Sequence, residues 1–350
     1  LRNRSCCKSW LLPLLLYRQG ATPENAQIRI ITATLMAQQA NQALPNGHPL
    51  EEYLIDRQLS LGGFSIVYLA KGPDGRQVAI KEYLPNSLAL RTDGQAKPTI
   101  SNDHLGAFRY GMKCFFEEGR ALARLSHPNV IRVLNFFRAN ETVYMVMEYE
   151  HGHTLQEFIQ KHQGHISERF IRGVFTRMLN GLREVHAHKL LHLDLKPSNI
   201  YLRTDNTPVL IDFGAARQTL ATDQPMLKPM YTPGFASPEH YGSRKDLGPW
   251  SDIYSVGASM YACLAGNAPQ AADERLKKDT LMPAMIRWDG QFSDRLLEII
   301  DWCLNLNHLY RPQSVFALQK ALVEVVTPPT PKIPPSWINR FVDKFKKADQ

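Results

Sequence analysis

The chain has 350 residues, enough for two lobes around a cleft or two small domains. Its formal charge of +8 is uneven: five Lys/Arg against one Glu leave +4 in residues 1–49, and five Lys/Arg against two Asp leave +3 in 327–350, so the middle carries only +1. A near-neutral middle argues against a nucleic-acid surface there, and five cysteines without metal-ligand spacing fit free thiols in a reducing, cytoplasmic setting.

In chain order, the apolar run from Trp10 to Tyr17 is interrupted by Pro13 and is far shorter than the roughly 20 residues that span a bilayer. No transmembrane helix is expected. The first Met is Met36; residues 1–35 read as a variable extension or as sequence upstream of the true start. Residues 36–49, rich in Gln, Asn and Pro, read as a flexible lead-in.

From Tyr53 apolar residues alternate. Leu59-Ser60-Leu61-Gly62-Gly63-Phe64-Ser65-Ile66-Val67 has the look of a hairpin whose backbone N–H groups can approach phosphates where a Cβ would clash. Val78-Ala79-Ile80-Lys81 is a strand ending in a lysine, which points to a cleft or an ion pair rather than a core. Residues 82–113, punctuated by Pro85, Gly94 and Pro98, read as extra loops. A helix carrying Glu117 and Glu118 then runs toward His127-Pro128, and Thr142 to Tyr149 reads as a strand. Helical periodicity marks 155–162 and 170–188. The pairs His151/His153 and His186/His188 have no Cys or carboxylate cluster beside them and are not read as metal ligands.

The densest chemistry is His192-Leu193-Asp194-Leu195-Lys196-Pro197-Ser198-Asn199, followed by a turn at Asp205-Asn206 and a strand, Val209-Leu210-Ile211, that delivers Asp212. These are the groups that phosphoryl transfer needs: a carboxylate for the hydroxyl proton, a lysine against phosphate charge, and an amide oxygen with a second carboxylate for Mg²⁺. Pro197 keeps Lys196 out of a helix.

These runs resemble the protein kinase family, and within it the bacterial-type serine/threonine kinases that lack Arg before the catalytic Asp. H-R-D-x-K-P-x-N followed by D-F-G is matched at every chemical position but one, where Leu193 stands for Arg; V-A-I-K is matched at Val78 to Lys81. Ser60 and Ser65 replace two glycines of the phosphate-covering loop. The resemblance implies a two-lobed α+β fold over about 50–326. Its small antiparallel N-lobe would take about 50–147, and its larger, mainly helical C-lobe about 151–326.

The resemblance also implies ATP- and Mg²⁺-dependent phosphorylation of Ser/Thr hydroxyls in protein substrates. Asp194 would be the base, Lys196 and Thr232 its companions, and Asn199 and Asp212 the metal ligands. Lys81 would pair with Glu118 (Glu117 being the alternative) and hold the nucleotide. Leu59, Gly62, Gly63, Val67 and Ala79 would cover the nucleotide. Met147 would be the gatekeeper, the backbone of Glu148 and Glu150 would meet the adenine edge, and Tyr201 would form its floor. His192, Phe213 and Asp252 would support the catalytic loop, and Arg311 would pair with Glu239 of Ser237-Pro238-Glu239. Two rivals are a pseudokinase scaffold and a small-molecule phosphotransferase.

Five prolines between Thr327 and Pro335 make an extended linker. Beyond it, Trp337, Ile338, Phe341, Val342 and Phe345 recur at helical spacing beside Arg340, Lys344 and Lys347. The stripe over 336–347 suits docking on the core or peripheral contact with an anionic membrane.

Overall fold

The computed structural model describes residues 41–213 and 231–324. The alternation that begins at Tyr53 folds as strand β2 (Tyr53–Leu61), which joins β1 (Pro49–Leu50), β3 (Ser65–Lys71), β4 (Gln77–Tyr83), β5 (Val133–Ala139) and β6 (Thr142–Glu148) in one antiparallel sheet, in the order β1-β2-β3-β4-β6-β5. Register pairs Val67 with Lys81, Lys81 with Met145, and Ala79 with Met147. Side chains alternate along a strand, so these share one face, while Tyr68, Ile80, Glu82 and Tyr144 share the other and are fully buried. The sheet curls far enough for Tyr53 of β2 to stack on Phe137 of β5, 5.8 Å between centroids.

Helix α1 (Asn102–Leu122) packs on the Lys81 face. Its first twelve residues lie in the segment expected to form loops, which is a correction. Phe108, Met112 and Phe115 are buried at i, i+4 and i+7, and that stripe overrides the weak helix propensity of Gly111. The glycine is needed for closeness: a Cβ there would fall 1.9 Å from the Tyr83 hydroxyl. Tyr83 in turn packs against Phe108 and Phe115, at 5.3 and 5.9 Å.

A second correction concerns residues 41–49, expected as part of a flexible lead-in. Asn41 and Leu44 are each 2 % exposed. Asn41 Nδ2 donates to the Ala89 carbonyl (3.1 Å), and its Oδ1 accepts from the Arg91 N–H (2.6 Å). Residues 41–44 and the loop around Arg91 together cover the outer face of the sheet, where Glu82 would otherwise be a lone buried carboxylate.

The second lobe carries α2 (Leu155–Lys161) and α3 (Glu168–Ala187), and a small sheet of β7 (Gly152–Thr154), β8 (Ile200–Arg203) and β9 (Pro208–Leu210) in that order. Thr154 caps α2 through a reciprocal pair with Glu157, backbone N–H to side chain at 3.1 and 2.7 Å. Helices α4 (Pro249–Ala265), α5 (Ala272–Lys277), α6 (Ala284–Arg287), α7 (Asp294–Cys303) and α8 (Val315–Val323) complete it. Helix α4 is buried from Ser251 through Leu264 and forms the centre of the lobe. At Gly257 it lies so close to α7 that a Cβ would come within 2.4 Å of Cys303 Cβ. Among the described residues no helix is long and apolar enough to cross a membrane. The 336–347 stripe lies outside the described residues.

Candidate active site

Helix α3 feeds a loop that Asp252 holds from below. This carboxylate, fully buried in the first turn of α4, accepts from the His192 N–H (2.9 Å), the Leu193 N–H (2.8 Å) and His186 Nε2 (2.7 Å). Desolvation pushes Asp252 toward its neutral form, but the bonds and charge from His186 and His192 outweigh it and hold the carboxyl below the usual range. Between these anchors Leu193 takes φ +61°, a left-handed conformation that a leucine rarely adopts.

The next residue is the centre of a ring of four side chains. Asp194 Oδ1 accepts from the Thr232 hydroxyl (2.8 Å), and Oδ2 accepts from Lys196 Nζ (2.7 Å) and Asn199 Nδ2 (3.1 Å). Lys196 Nζ also reaches Thr232 Oγ1 (2.7 Å), and Asn199 Nδ2 reaches the Asp194 carbonyl (2.8 Å). Pro197 opens a 3-10 turn over Pro197–Asn199 while Lys196 stays extended, so three functional side chains within six residues turn to one place.

Asp212 enters from the end of β9 with φ +58°, and its Oδ1 lies 2.6 Å from Lys81 Nζ. In the structure Lys81 pairs with the Asp212 carboxylate. Glu118 is buried on α1, one turn past Phe115, whose ring centroid is 5.8 Å from Lys81 Nζ. Glu117 faces outward beside Arg120 at 3.6 Å, so of the two glutamates Glu118 is the inward one. Behind Asp212, His192 Nε2 donates to the Ile211 carbonyl (3.2 Å) and its ring lies 4.4 Å from that of buried Phe213.

The β2–β3 hairpin leaves Leu59, Gly62 and Gly63 exposed, and Gly62 N–H closes its turn on the Ser65 carbonyl at 2.9 Å. Val67, Ala79 and Met147 are half-buried on the Lys81 face, and Tyr201 is half-buried on β8. Glu148 N–H is taken by the Arg132 carbonyl (3.0 Å), and the Glu150 carboxylate is taken by Arg203 Nε (2.7 Å). Glu239 and Arg311 form a buried bidentate pair at 2.9 and 3.1 Å, and Arg311 also stacks 4.9 Å from the Tyr254 ring.

Sequence reasoning missed three participants. His186 was set aside as a non-ligand, but it braces Asp252. His240 and the Glu82–Arg91 pair went unremarked; a carboxylate directly after Lys81 in an apolar strand was the available signal for the latter.

The protein kinase domain model matches residues 53–323. Among curated relatives, serine/threonine-protein kinase B of Synechocystis sp. is 32 % identical over 267 residues, covering 73 % of this chain and 45 % of the relative. Serine/threonine-protein kinase PLK4 of Drosophila sechellia is 27 % identical over 252 residues, covering 70 % and 30 %. The chain thus spans 30 to 45 % of these relatives' length. Among solved structures, the apo form of PpkA-294 is 33 % identical with a TM-score of 0.70, covering 80 % of this chain and 99 % of the other. The PknI kinase domain of Mycobacterium tuberculosis shares the fold at 20 % identity and a TM-score of 0.58, covering 80 % and 98 %. The two-lobed architecture, the motifs and these matches agree: the chain belongs to the protein kinase family, and residues 53–323 are a protein kinase domain of the serine/threonine type.

Proposed function

We propose that this domain transfers the γ-phosphate of ATP to Ser/Thr hydroxyls of protein substrates, with Asp194 as the base that receives the hydroxyl proton. The observation that carries this reading is the ring in which Lys196 bonds both Asp194 and Thr232, at 2.7 Å each. It ties the segment read as peptide-facing to the carboxylate, a link that neither a scaffold nor a small-molecule phosphotransferase requires.

The donor set suits Mg²⁺, a hard cation that takes oxygen ligands. Asn199 turns its amide nitrogen to Asp194, so its carbonyl oxygen, which accepts one long bond from the Ser198 hydroxyl (3.4 Å), has a second lone pair for a cation, and the Asp212 side chain is 45 % exposed. When bound, Mg²⁺ would neutralise phosphate charge. Lys81 would hold the nucleotide phosphates, Lys196 would face the transferred group, and Val67, Ala79, Met147 and Tyr201 would enclose the base, with Glu148 and Glu150 lending backbone groups. Positioning and charge neutralisation then supply most of the rate.

The stripe over 336–347 extends the proposal: its aromatic residues would sink into an anionic membrane surface while Arg340, Lys344 and Lys347 meet the headgroups, a peripheral attachment. Co-sedimentation of the full chain with anionic vesicles at low salt tests it, and no binding would end it. For the reaction, radiolabelled ATP with a generic protein substrate is the assay. Asp194→Asn should cut transfer by about 10²–10⁴-fold with nucleotide binding retained. Transfer near the wild-type rate would refute the assignment.

A further inference from the structure

The backbone of Leu193 is gripped at both ends. Its N–H goes to Asp252, as described above, while its carbonyl oxygen lies 2.9 Å from His240 Nε2. His240 sits in the 3-10 turn Pro238–Tyr241, next to Glu239 and eight residues beyond Thr232, and it is only 7 % exposed. One imidazole therefore bridges the segment that carries Thr232 to the peptide group immediately before Asp194.

The ring's protonation follows from its partners. The Ser237 backbone N–H points at His240 Nδ1 (3.2 Å), and a backbone N–H can only donate. Nδ1 is thus the acceptor, the Ser237 hydroxyl (2.9 Å) adds a second donor to it, and the proton resides on Nε2, aimed at Leu193 O. Desolvation lowers the His240 pKa, against smaller opposing effects from the Leu193 carbonyl, Asp252 and Glu239, so the neutral ring is favoured. Tyr231 meets the ring edge-on at 6.2 Å and completes its surroundings.

We propose that His240 is a positioning residue for phosphoryl transfer: as the neutral Nε2–H tautomer it holds the Leu193 carbonyl and thereby registers the substrate-facing segment against Asp194. Leu193 needs such a grip because its left-handed φ of +61° is unfavourable for a branched residue and persists only where the surroundings enforce it. Released at its carbonyl, the Leu193–Asp194 peptide can rotate and carry the carboxylate away from Thr232 and Lys196. A displacement of about 1 Å at a catalytic group is enough for a 10²-fold loss. The nucleotide contacts attributed to Lys81 and Asp212 lie on other elements and should not feel the change.

This inference rests on the kinase reading above, and the test separates the two. In the full chain, His240→Leu should lower kcat for a protein substrate at least tenfold with KM for ATP within about twofold. His240→Gln, whose amide can donate to Leu193 O and accept from Ser237, should recover most of the loss. Heteronuclear NMR of wild-type protein near pH 7 should show His240 neutral and protonated on Nε2. A wild-type kcat in His240→Leu, no recovery by glutamine, or a ring protonated on Nδ1 would each overturn the role of His240. Asp194→Asn, assayed in parallel, reports on the underlying reading alone: undiminished transfer there removes the base, whatever His240 does.

Discussion

The Arg91 guanidinium meets the Glu82 carboxylate in two parallel hydrogen bonds, 2.6 and 2.8 Å, with both side chains completely shielded from solvent. Tyr68 and Tyr144 donate to the same carboxylate at 2.7 and 2.8 Å, and Arg91 Nε donates to the Gln42 carbonyl at 2.8 Å. The cluster satisfies every strong group it buries, which is the condition under which such a pair is tolerable. It also fixes the residue directly after Lys81 from the side of the sheet opposite the cleft. Arg91→Met should destabilise the domain by about 3–5 kcal/mol, because Glu82 is left buried without its cation. Arg91→Met with Glu82→Leu should cost much less than the sum of the single changes. Denaturant unfolding of the four proteins checks this, and additive losses would contradict it.

Gly63 separates a binding role from a folding role. A Cβ there would meet nothing within 4 Å, and its φ is not in the left-handed region, so the hairpin does not need glycine to fold. Gly63→Ala should leave the melting temperature unchanged or raise stability by about 0.4–1 kcal/mol through the unfolded chain. KM for ATP should nevertheless rise, since a methyl group obstructs close approach of the loop to phosphates. A fall in melting temperature with unaltered KM would reverse both assignments.

At Leu193 the position that carries Arg in the family pattern holds a leucine only 1 % exposed. It offers no cation to a phosphate on Thr219 or Thr222, both of which lie outside the described residues. Phosphatase treatment, and a Thr219→Ala/Thr222→Ala double variant, should therefore retain activity to within tenfold of wild type. A larger drop in either shows that another cation has taken over.

Stability should decline on the acid side in two stages. His240 and His127 have their pKa values lowered mainly by desolvation, so below about pH 6.5 the unfolded chain binds protons that the native ring refuses. Stability rises with pH through that window and falls as pH drops through it. Desolvation raises Glu239, but the Arg311 bonds and charge outweigh it and leave the carboxyl below its usual value, as with Asp252. Their contribution is complete above about pH 4.5 and is lost as pH falls further. Melting temperatures of wild type and His240→Gln from pH 4 to 8 provide the measure. The variant should lose part of the first stage and keep the second.

The strands at Tyr53, Val78 and Thr142 and the helices α2 and α3 were readable because their signals are local. Period-two alternation from Tyr53 and the apolar stripe of α3 state their own geometry, whatever they pack against. Asp194, Lys196 and Asn199 were readable for a similar reason: a proline-stiffened turn places residues two and five apart on one side. The long helix α1 was hidden at its start because Gly111 weakens the local signal, and only Tyr83, 28 positions earlier, makes a glycine the right residue there.

Local sequence by itself determined the family, the two lobes and the set of polar groups that could serve phosphoryl transfer, since those depend on residue type and short spacing. Tertiary structure alone decided that Asp212 would reach Lys81, that residues 41–44 would be pinned by Arg91, and that His240 would reach Leu193. Each of these joins residues far apart in sequence, and a pairing of that kind depends on which buried donor finds which acceptor once water is gone. No spacing along the chain encodes that choice.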